Sequence, residues 1–239
     1  MLVPLTREKF EQIIPLMATG PQYAYYWGKS QDCLRRVMIS AVGAIVLLLL
    51  RMVLGRAAEG LTIVLGIIVG LYWLWAPVYW ASMRNASYRG FPYSGFWRGR
   101  VLDVFVTEEL VGEEETVNER GELVIIESRE RRINLEVGDE TGFKASLQAP
   151  LQRIHKGIAR GEIVELLLLS NQPHLDRIAK ITDAYLPSRN ISIGDYPYLR
   201  LDDFIEVSRQ LRGGGEQRGY KKNPRPSKIR RSSSSYDYR

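Results

Sequence analysis

The pattern of apolar and polar positions changes character along the chain. Between Thr6 and Thr19 apolar residues recur at Phe10, Ile13, Ile14 and Met17, a helical spacing. It predicts a segment that lies along a membrane surface or docks on a soluble domain, and Pro15 argues against one continuous helix. From Val37 to Leu50 the chain reads VMISAVGAIVLLLL, without a charge. This run covers only about 21 Å as a helix, against a hydrocarbon core of about 30 Å. The helix is therefore expected to continue through RMVL to Gly55, with Arg51 turning its head group toward the far interface. A second uncharged run, Leu61 to Ser82, exceeds what a bilayer requires, and the link GRAAEG (55–60) is short enough to impose an antiparallel hairpin. Beyond residue 95 the period shortens to two. GRVLDVFV (99–106), ELVIIES (122–128), RRINLEV (131–137), FKASLQA (143–149), EIVELLLLS (162–170) and RIAKITDAYL (177–186) read as strands, and NERG, GDETG, ARG and NQP as the turns between them.

This alternation with little helix predicts a small β-barrel or sandwich. The order INLEVGDETGFKASL, then ARGEIVELLLL, resembles the OB-fold, in which a strand, a Gly-containing turn and a second strand precede a closing strand. The expected organisation is an N-terminal interfacial segment (1–35), a transmembrane helical hairpin (36–83), an all-β, OB-like domain with a terminal helix at 201–211 (84–211), and a disordered basic tail (212–239). The tail RGGGEQRGYKKNPRPSKIRRSSSSYDYR has almost no apolar content with which to bury a core.

Charge adds orientation. The formal net charge is +6 over 239 residues, but it conceals an acidic stretch from Arg98 to Pro150 and a basic one from Arg209 to Arg239. Arg35 and Arg36 precede the first apolar run, and Arg84, Arg89, Arg98 and Arg100 follow the second, so both termini are expected on the cytoplasmic side. The first thirty residues lack the continuous apolar core of a cleavable signal peptide.

Chemistry-bearing motifs are few. Cys33 is the only cysteine, which excludes an intramolecular disulfide and a cysteine-based metal site. His155 and His174 have no second ligand at metal spacing, and neither a GxxxxGK loop nor a GxSxG elbow occurs. No catalytic, cofactor or metal site is expected. Nucleic-acid binding is disfavoured: the strands are rich in glutamate, and their aromatic pair, Phe105 and Phe143, is expected in the core. Glu113, Glu114 and Glu115 read as a solvated turn.

Partner-contact candidates are aromatic. GLYWLWAPVYW (70–80) places Tyr72, Trp75 and Tyr79 on one helical stripe, with Trp73 and Trp80 on the adjacent one. On a straight second span Tyr79 and Trp80 suit an interfacial collar, whereas Tyr72, about 12 Å deeper than Trp80, is too deep for one. The inner end then packs on the small residues Ser40, Ala41, Gly43 and Ala44, or meets a protein, lipid or pigment laterally. Pro77 is expected to bend the helix. YAYYWG (23–28) reads as an interfacial belt, and Tyr196 and Tyr198 as an exposed loop. Arg230 and Arg231 mark the tail as a tether to anionic lipid or an acidic partner.

Three segments, GFWRGRVLDV (95–104), RERRINLEVGDETGF (129–143) and GDYPYLRLDDFIEVSR (194–209), resemble a family of cyanobacterial membrane proteins of unassigned role, over residues 30 to 210. Members are sometimes labelled phosphate-transporter permeases, a label that two spans and a large β-domain do not support. The resemblance implies a thylakoid or plasma-membrane address. By layout, it also implies a non-enzymatic assembly or scaffold factor for a membrane complex, with a photosystem or cytochrome complex as expected partner. The alternative is an accessory or regulatory subunit of a transporter.

Overall fold

A computed structural model describes residues 1–28, 30–54, 59–117 and 123–220. Strand β1 (Leu2–Pro4) and helices α1 (Arg7–Ile13) and α2 (Gly20–Trp27) come first. Helix α1 ends ahead of Pro15, with Ile14 already extended. Phe10, Ile13 and Ile14 are fully buried, and β1 pairs with the sheet through Leu2↔Trp97. The start of the N-terminal segment (1–35) thus docks on the sheet domain, one of the two placements its helical spacing allows.

Helix α3 (Ser30–Leu54) is long and apolar enough, from Gln31 to Val53, to cross a membrane, and little of it is buried. The second apolar run is not one helix, contrary to expectation. It divides into α4 (Glu59–Gly70) and α5 (Tyr72–Arg89), whose axes meet at 68°. The break falls at Gly70–Leu71, and α5 continues through Pro77. Glycine is a weak helix former, and polar side chains near the break take up some of the groups it frees. The Trp73 N–H donates to Ser40 Oγ at 3.3 Å, and Trp75 Nε1 donates to the Ile68 carbonyl at 2.8 Å. Helices α3 and α4 pack closely, because a Cβ at Gly43 would lie 2.3 Å from Val69. Arg51, near the end of α3, is paired with Glu59, at the start of α4, at 2.9 Å.

Among the described residues eight strands form one antiparallel sheet, its main path β4-β3-β2-β5-β7-β8. These are β2 (Tyr93–Val117), β3 (Leu123–Gly138), β4 (Lys144–Pro150), β5 (Ile163–Ser170), β7 (Ala184–Leu186) and β8 (Ile191–Ile193), with β6 (Lys180–Ile181) beside β5. The edges β4 and β8 approach each other without a ladder, so the sheet curls but does not close into the OB-like barrel expected. Its concave face holds Trp97, Val101, Leu135, Leu147, Val164, Leu166 and Leu168. Its convex face holds Phe96, Leu167 and Leu169 under α1 and under α6 (Leu201–Tyr220). Being covered on both faces explains why β5 reads as an unbroken apolar run. The continuous strand expected at 177–186 is interrupted where Thr182 Oγ1 accepts the Leu167 N–H and Asp183 turns inward. Glu165, fully buried, accepts a bond from Ser208 Oγ at 2.7 Å and lies 3.6 Å from Arg98 and 3.9 Å from Arg212, securing α6.

Two strands outrun the sheet. β2 pairs with β5 only through Arg100, and β4 pairs with β3 only from Arg132 onward. Residues 107–117 and 123–131 therefore pair only with each other, forming a projecting ribbon. Glu113–Glu115 lie within this strand rather than in a turn. Phe105, expected in the core, is 43% exposed at the ribbon's root, while Phe143 packs against Trp97 at 5.1 Å.

Candidate functional site

The aromatic candidates separate into two groups. Tyr72, Trp75, Tyr79 and Trp80 form a continuous ladder of edge-to-face rings, with centroids 5.3, 6.1 and 5.4 Å apart. Trp75, Tyr79 and Trp80 are exposed. Trp73 leaves the ladder and packs at 5.7 Å on Trp27, which in turn meets Tyr23 at 5.8 Å. Small residues of α3 receive this region, Ser40 accepting the Trp73 N–H and Gly43 making room for the Val69 side chain, while the ladder faces outward.

The bend changes the depth argument. Along the axis of α4, a helix inclined at 68° separates Tyr72 from Trp80 by only about 4–5 Å, not about 12 Å. All four rings then occupy one thin layer. The reason for setting Tyr72 apart from an interfacial collar disappears.

The second group is buried. Tyr196 is 1% exposed and Tyr198 8%, so the exposed loop expected there is instead an internal contact. Tyr25 and Tyr26, expected at an interface, meet Tyr196 edge-on at 5.0 and 6.1 Å. Arg84, from α5, lies 4.3 Å over the Tyr196 ring and donates from Nε to the Tyr198 hydroxyl at 2.8 Å. Tyr88 stacks on Tyr198 at 3.7 Å, and Lys180 lies 4.8 Å over Tyr88. The Tyr196 hydroxyl is buried with no hydrogen-bond partner, and burial pushes its ionisation upward.

Next to this cluster Gln22 and Asn85, both fully buried, exchange amide hydrogen bonds at 3.0 and 2.8 Å, and Gln22 also donates to the Pro197 carbonyl at 2.9 Å. Arg89 donates to the Glu11 and Ile14 carbonyls at 3.2 and 3.0 Å and pairs with the Glu11 carboxylate at 2.7 Å. Asp183 accepts the backbone N–H groups of Tyr198 and Leu199 at 3.2 and 3.1 Å, together with the Ser192 hydroxyl. Burial nevertheless raises its carboxyl to about 6. The last two turns of α5 are thus bolted to α1, α2 and the 194–200 loop. Gln22, Asn85 and Arg84 were the contacts that sequence reasoning missed. Polar residues flanking an apolar run were the one available signal.

A cavity of about 190 Å³ beside this joint is bounded by Arg84, Tyr88, Asp183, Asp195, Tyr196 and Tyr198. Most of its polar groups are already engaged with each other: Arg84 also reaches Asp195 at 3.8 Å, and Arg132 reaches it at 2.8 Å. Among the described residues no group of three His, Cys, Asp or Glu side chains is placed to hold a metal. His155 is buried, its Nδ1 accepting the Gln152 N–H at 3.2 Å. Arg230 and Arg231 lie outside the described residues. No curated protein and no solved structure matches the chain significantly. Residues 3–218, nearly all of the described chain, match the Family of unknown function (DUF8619), and the protein belongs to that family.

Proposed function

We propose that the protein is a membrane-anchored scaffold or assembly factor for a membrane protein complex, which it engages through the projecting β2–β3 ribbon. The observation that carries this reading is the ribbon held on a bolted joint. A two-stranded ribbon standing alone is marginal in water. This one exposes Leu110, Val111, Leu123 and Ile125, leaves both edges unpaired among the described strands, and sets Glu109 opposite Glu130. The joint gives it a fixed bearing on the anchor.

In the proposed arrangement α3 crosses the bilayer and α4 with the start of α5 returns. From Arg36 to Arg51, α3 rises about 22 Å. From Glu59 to Gly70, α4 covers about 17 Å, and α5 as far as Arg84 adds about 7 Å along the same axis at 68°. The two limbs match each other, each a turn or so short of the about 30 Å core, so their flanking arginines reach outward to the interfaces. The Arg51–Glu59 pair then sits at the far interface and the aromatic ladder at the near one, where such rings anchor helices. Both termini and the sheet domain share the near side.

The test is affinity purification from gently solubilised native membranes, using the full chain and a chain whose ribbon is shortened by joining Leu110 to Arg129 through Asn-Gly. The full chain is expected to retain subunits of one membrane complex and the shortened chain to lose them while staying in the membrane fraction. Recovery of the full chain alone, or equal retention by both, overturns the proposal. Retention of a multi-span permease with its ATPase would favour the transporter-accessory reading.

A further inference from the structure

We infer that the loop between α1 and α2 enters the near leaflet of the bilayer through Leu16 and Met17, a foothold beside α5 that seats the sheet domain on the membrane. This inference rests on the bilayer placement of α3 and α4 proposed above. Leu16 and Met17 are adjacent and stand out from the protein, 56% and 72% exposed. The turn at Pro15 sorts the segment: Phe10, Ile13 and Ile14 before it are buried against the sheet domain, and the pair after it is turned outward. From Gln12 to Gly28 the chain carries no charge, so the loop has no ionised group of its own to desolvate where it meets lipid.

Both feet of the loop are fixed to one helix. Arg89 donates to the Ile14 carbonyl at 3.0 Å, and the Ala18 N–H donates to Ser82 Oγ at 3.3 Å. Thr19 then caps α2, its N–H donating to Gln22 Oε1 at 3.1 Å. Ser82 and Arg89 lie two turns apart on one stripe of α5, and Trp75 lies two turns before Ser82 on the same stripe. The loop is thus laid beside α5 where the aromatic ladder ends. Tyr79 and Trp80 come just before Ser82, and the exposed Met83 just after it. With Ile14 and Ala18 held, Leu16 and Met17 form a fixed tip rather than a free coil.

Depth and burial agree with that placement. On the inclined axis of α5, Ser82 lies only about 1 Å beyond Trp80 along α4, so the loop is tied to the layer that holds the rings. The opposite face of α5 is closed by the sheet domain. Ala81 and Asn85 are fully buried there, and Arg84 and Tyr88 enter the cage with Tyr198. Helix α5 therefore stands between the sheet domain and an apolar surface made of Tyr79, Trp80, Met83, Leu16 and Met17. A surface continuous with the ladder is covered by what the ladder meets. Interfacial elements bury their apolar side about 5–10 Å into the headgroup–acyl boundary, within reach of leucine and methionine side chains on a loop tip. A helix alone leaves the domain free to roll about its axis. The loop beside it fixes that roll, and with it the bearing of the ribbon.

The test uses the full chain in phosphatidylcholine nanodiscs, with Cys33→Ser removing the native thiol and a fluorophore attached at Met17→Cys. The same label at Glu140→Cys, on the exposed turn between β3 and β4, gives the aqueous reference, and at Val42→Cys, exposed in the middle of α3, the membrane reference. Emission at 17 is expected to be quenched by nitroxide-bearing lipid, and its quenching by aqueous iodide to fall about threefold or more below that at 140. Leu16→Glu is expected to restore iodide quenching at 17 without moving the denaturant midpoint of the sheet domain, because Leu16 is exposed. Full iodide quenching at 17 with no response to the lipid nitroxide overturns the inference. Protection from iodide without lipid quenching also overturns it, assigning the tip to a protein contact, as does protection that survives Leu16→Glu. Each of these results, with position 42 still quenched by lipid, leaves the scaffold reading standing, because no partner is present. Loss of lipid quenching at 42 as well overturns the anchor and this inference together. Conversely, failure of the ribbon-shortened purification leaves this contact untouched.

Discussion

Two aromatic clusters with similar composition meet opposite fates in this molecule. The ladder of Tyr72, Trp75, Tyr79 and Trp80 lies along one helix face and stays largely exposed, whereas Tyr25, Tyr26, Tyr196 and Tyr198 come from distant segments and close around Arg84. The ladder is local: its members lie three, four and one residues apart, so the helix alone brings them together. The cage is non-local and exists only because α2 and the 194–200 loop meet the end of α5. Aromatic density in a sequence thus marks a surface in one case and a joint in the other, and the deciding variable is what folds back upon it.

The comparison breaks most sharply at Tyr196. Replacing it with alanine empties a fully buried ring site and should cost about 3–5 kcal/mol in denaturant-induced unfolding of the sheet domain. Tyr196→Phe removes a hydroxyl that has no partner, so its effect should stay within about 0.5 kcal/mol. A large loss with phenylalanine would mean that the hydroxyl is engaged and the cage has been misjudged.

Asp183 ties the cage loop to the sheet and gives it a pH signature. Its carboxyl is raised to about 6 from 3.8, so between these values the folded chain holds more proton than the unfolded chain. Stability from this group therefore rises as pH falls from about 6 toward 4, by at most about 3 kcal/mol. Glu162, held down near 2 by Arg189, works in the opposite sense, but only below its unfolded value of 4.5. Asp183→Asn keeps the acceptor for the Tyr198 and Leu199 N–H groups. It should flatten the pH 4–6 segment of the stability profile measured by thermal unfolding; an unchanged slope would refute this assignment.

A smaller loss is expected at Asn85. Asn85→Leu removes two of the hydrogen bonds of the buried Gln22 amide and should cost about 1–3 kcal/mol, with increased proteolytic cleavage between α2 and α5. The smallest effect on domain stability belongs to the ladder. Changing Tyr79 and Trp80 together to serine should alter sheet-domain unfolding by less than about 0.5 kcal/mol, as for exposed sites. The same change should loosen membrane retention in carbonate-wash fractionation. A stability loss as large as that of Tyr196→Ala would erase the distinction between the two clusters.

Much of the architecture was legible in the sequence. The apolar stretch of α3, the change to period two after residue 95 and the stop before Pro15 are local consequences of side-chain type, and they reappear in the structure. The long strand through Glu113–Glu115 was not legible, because a run of glutamates disfavours a strand unless a partner supplies the ladder, as Leu123–Ser128 does. The bend was expected at Pro77 and lies at Gly70–Leu71. A proline signals a lost hydrogen bond, but the position of a break depends on which neighbour can satisfy the freed groups. Here that neighbour includes Ser40, on another helix.

The sequence by itself determined periodicity, the charge-free runs, the stripe on α5 and the absence of common catalytic motifs, because each depends on neighbours within a few residues. Only the tertiary structure decided that Tyr196 and Tyr198 are buried, that the sheet curls without closing, and that the N-terminal segment belongs to the sheet domain. It also decided that Tyr72, Trp75, Tyr79 and Trp80 share one layer across the α4 axis, while Trp73 turns to Trp27. Burial and bend angle are set by contacts between segments far apart in the chain. The Gln22–Asn85 amide pair and the Arg84 cage are such contacts, and no local pattern encodes them.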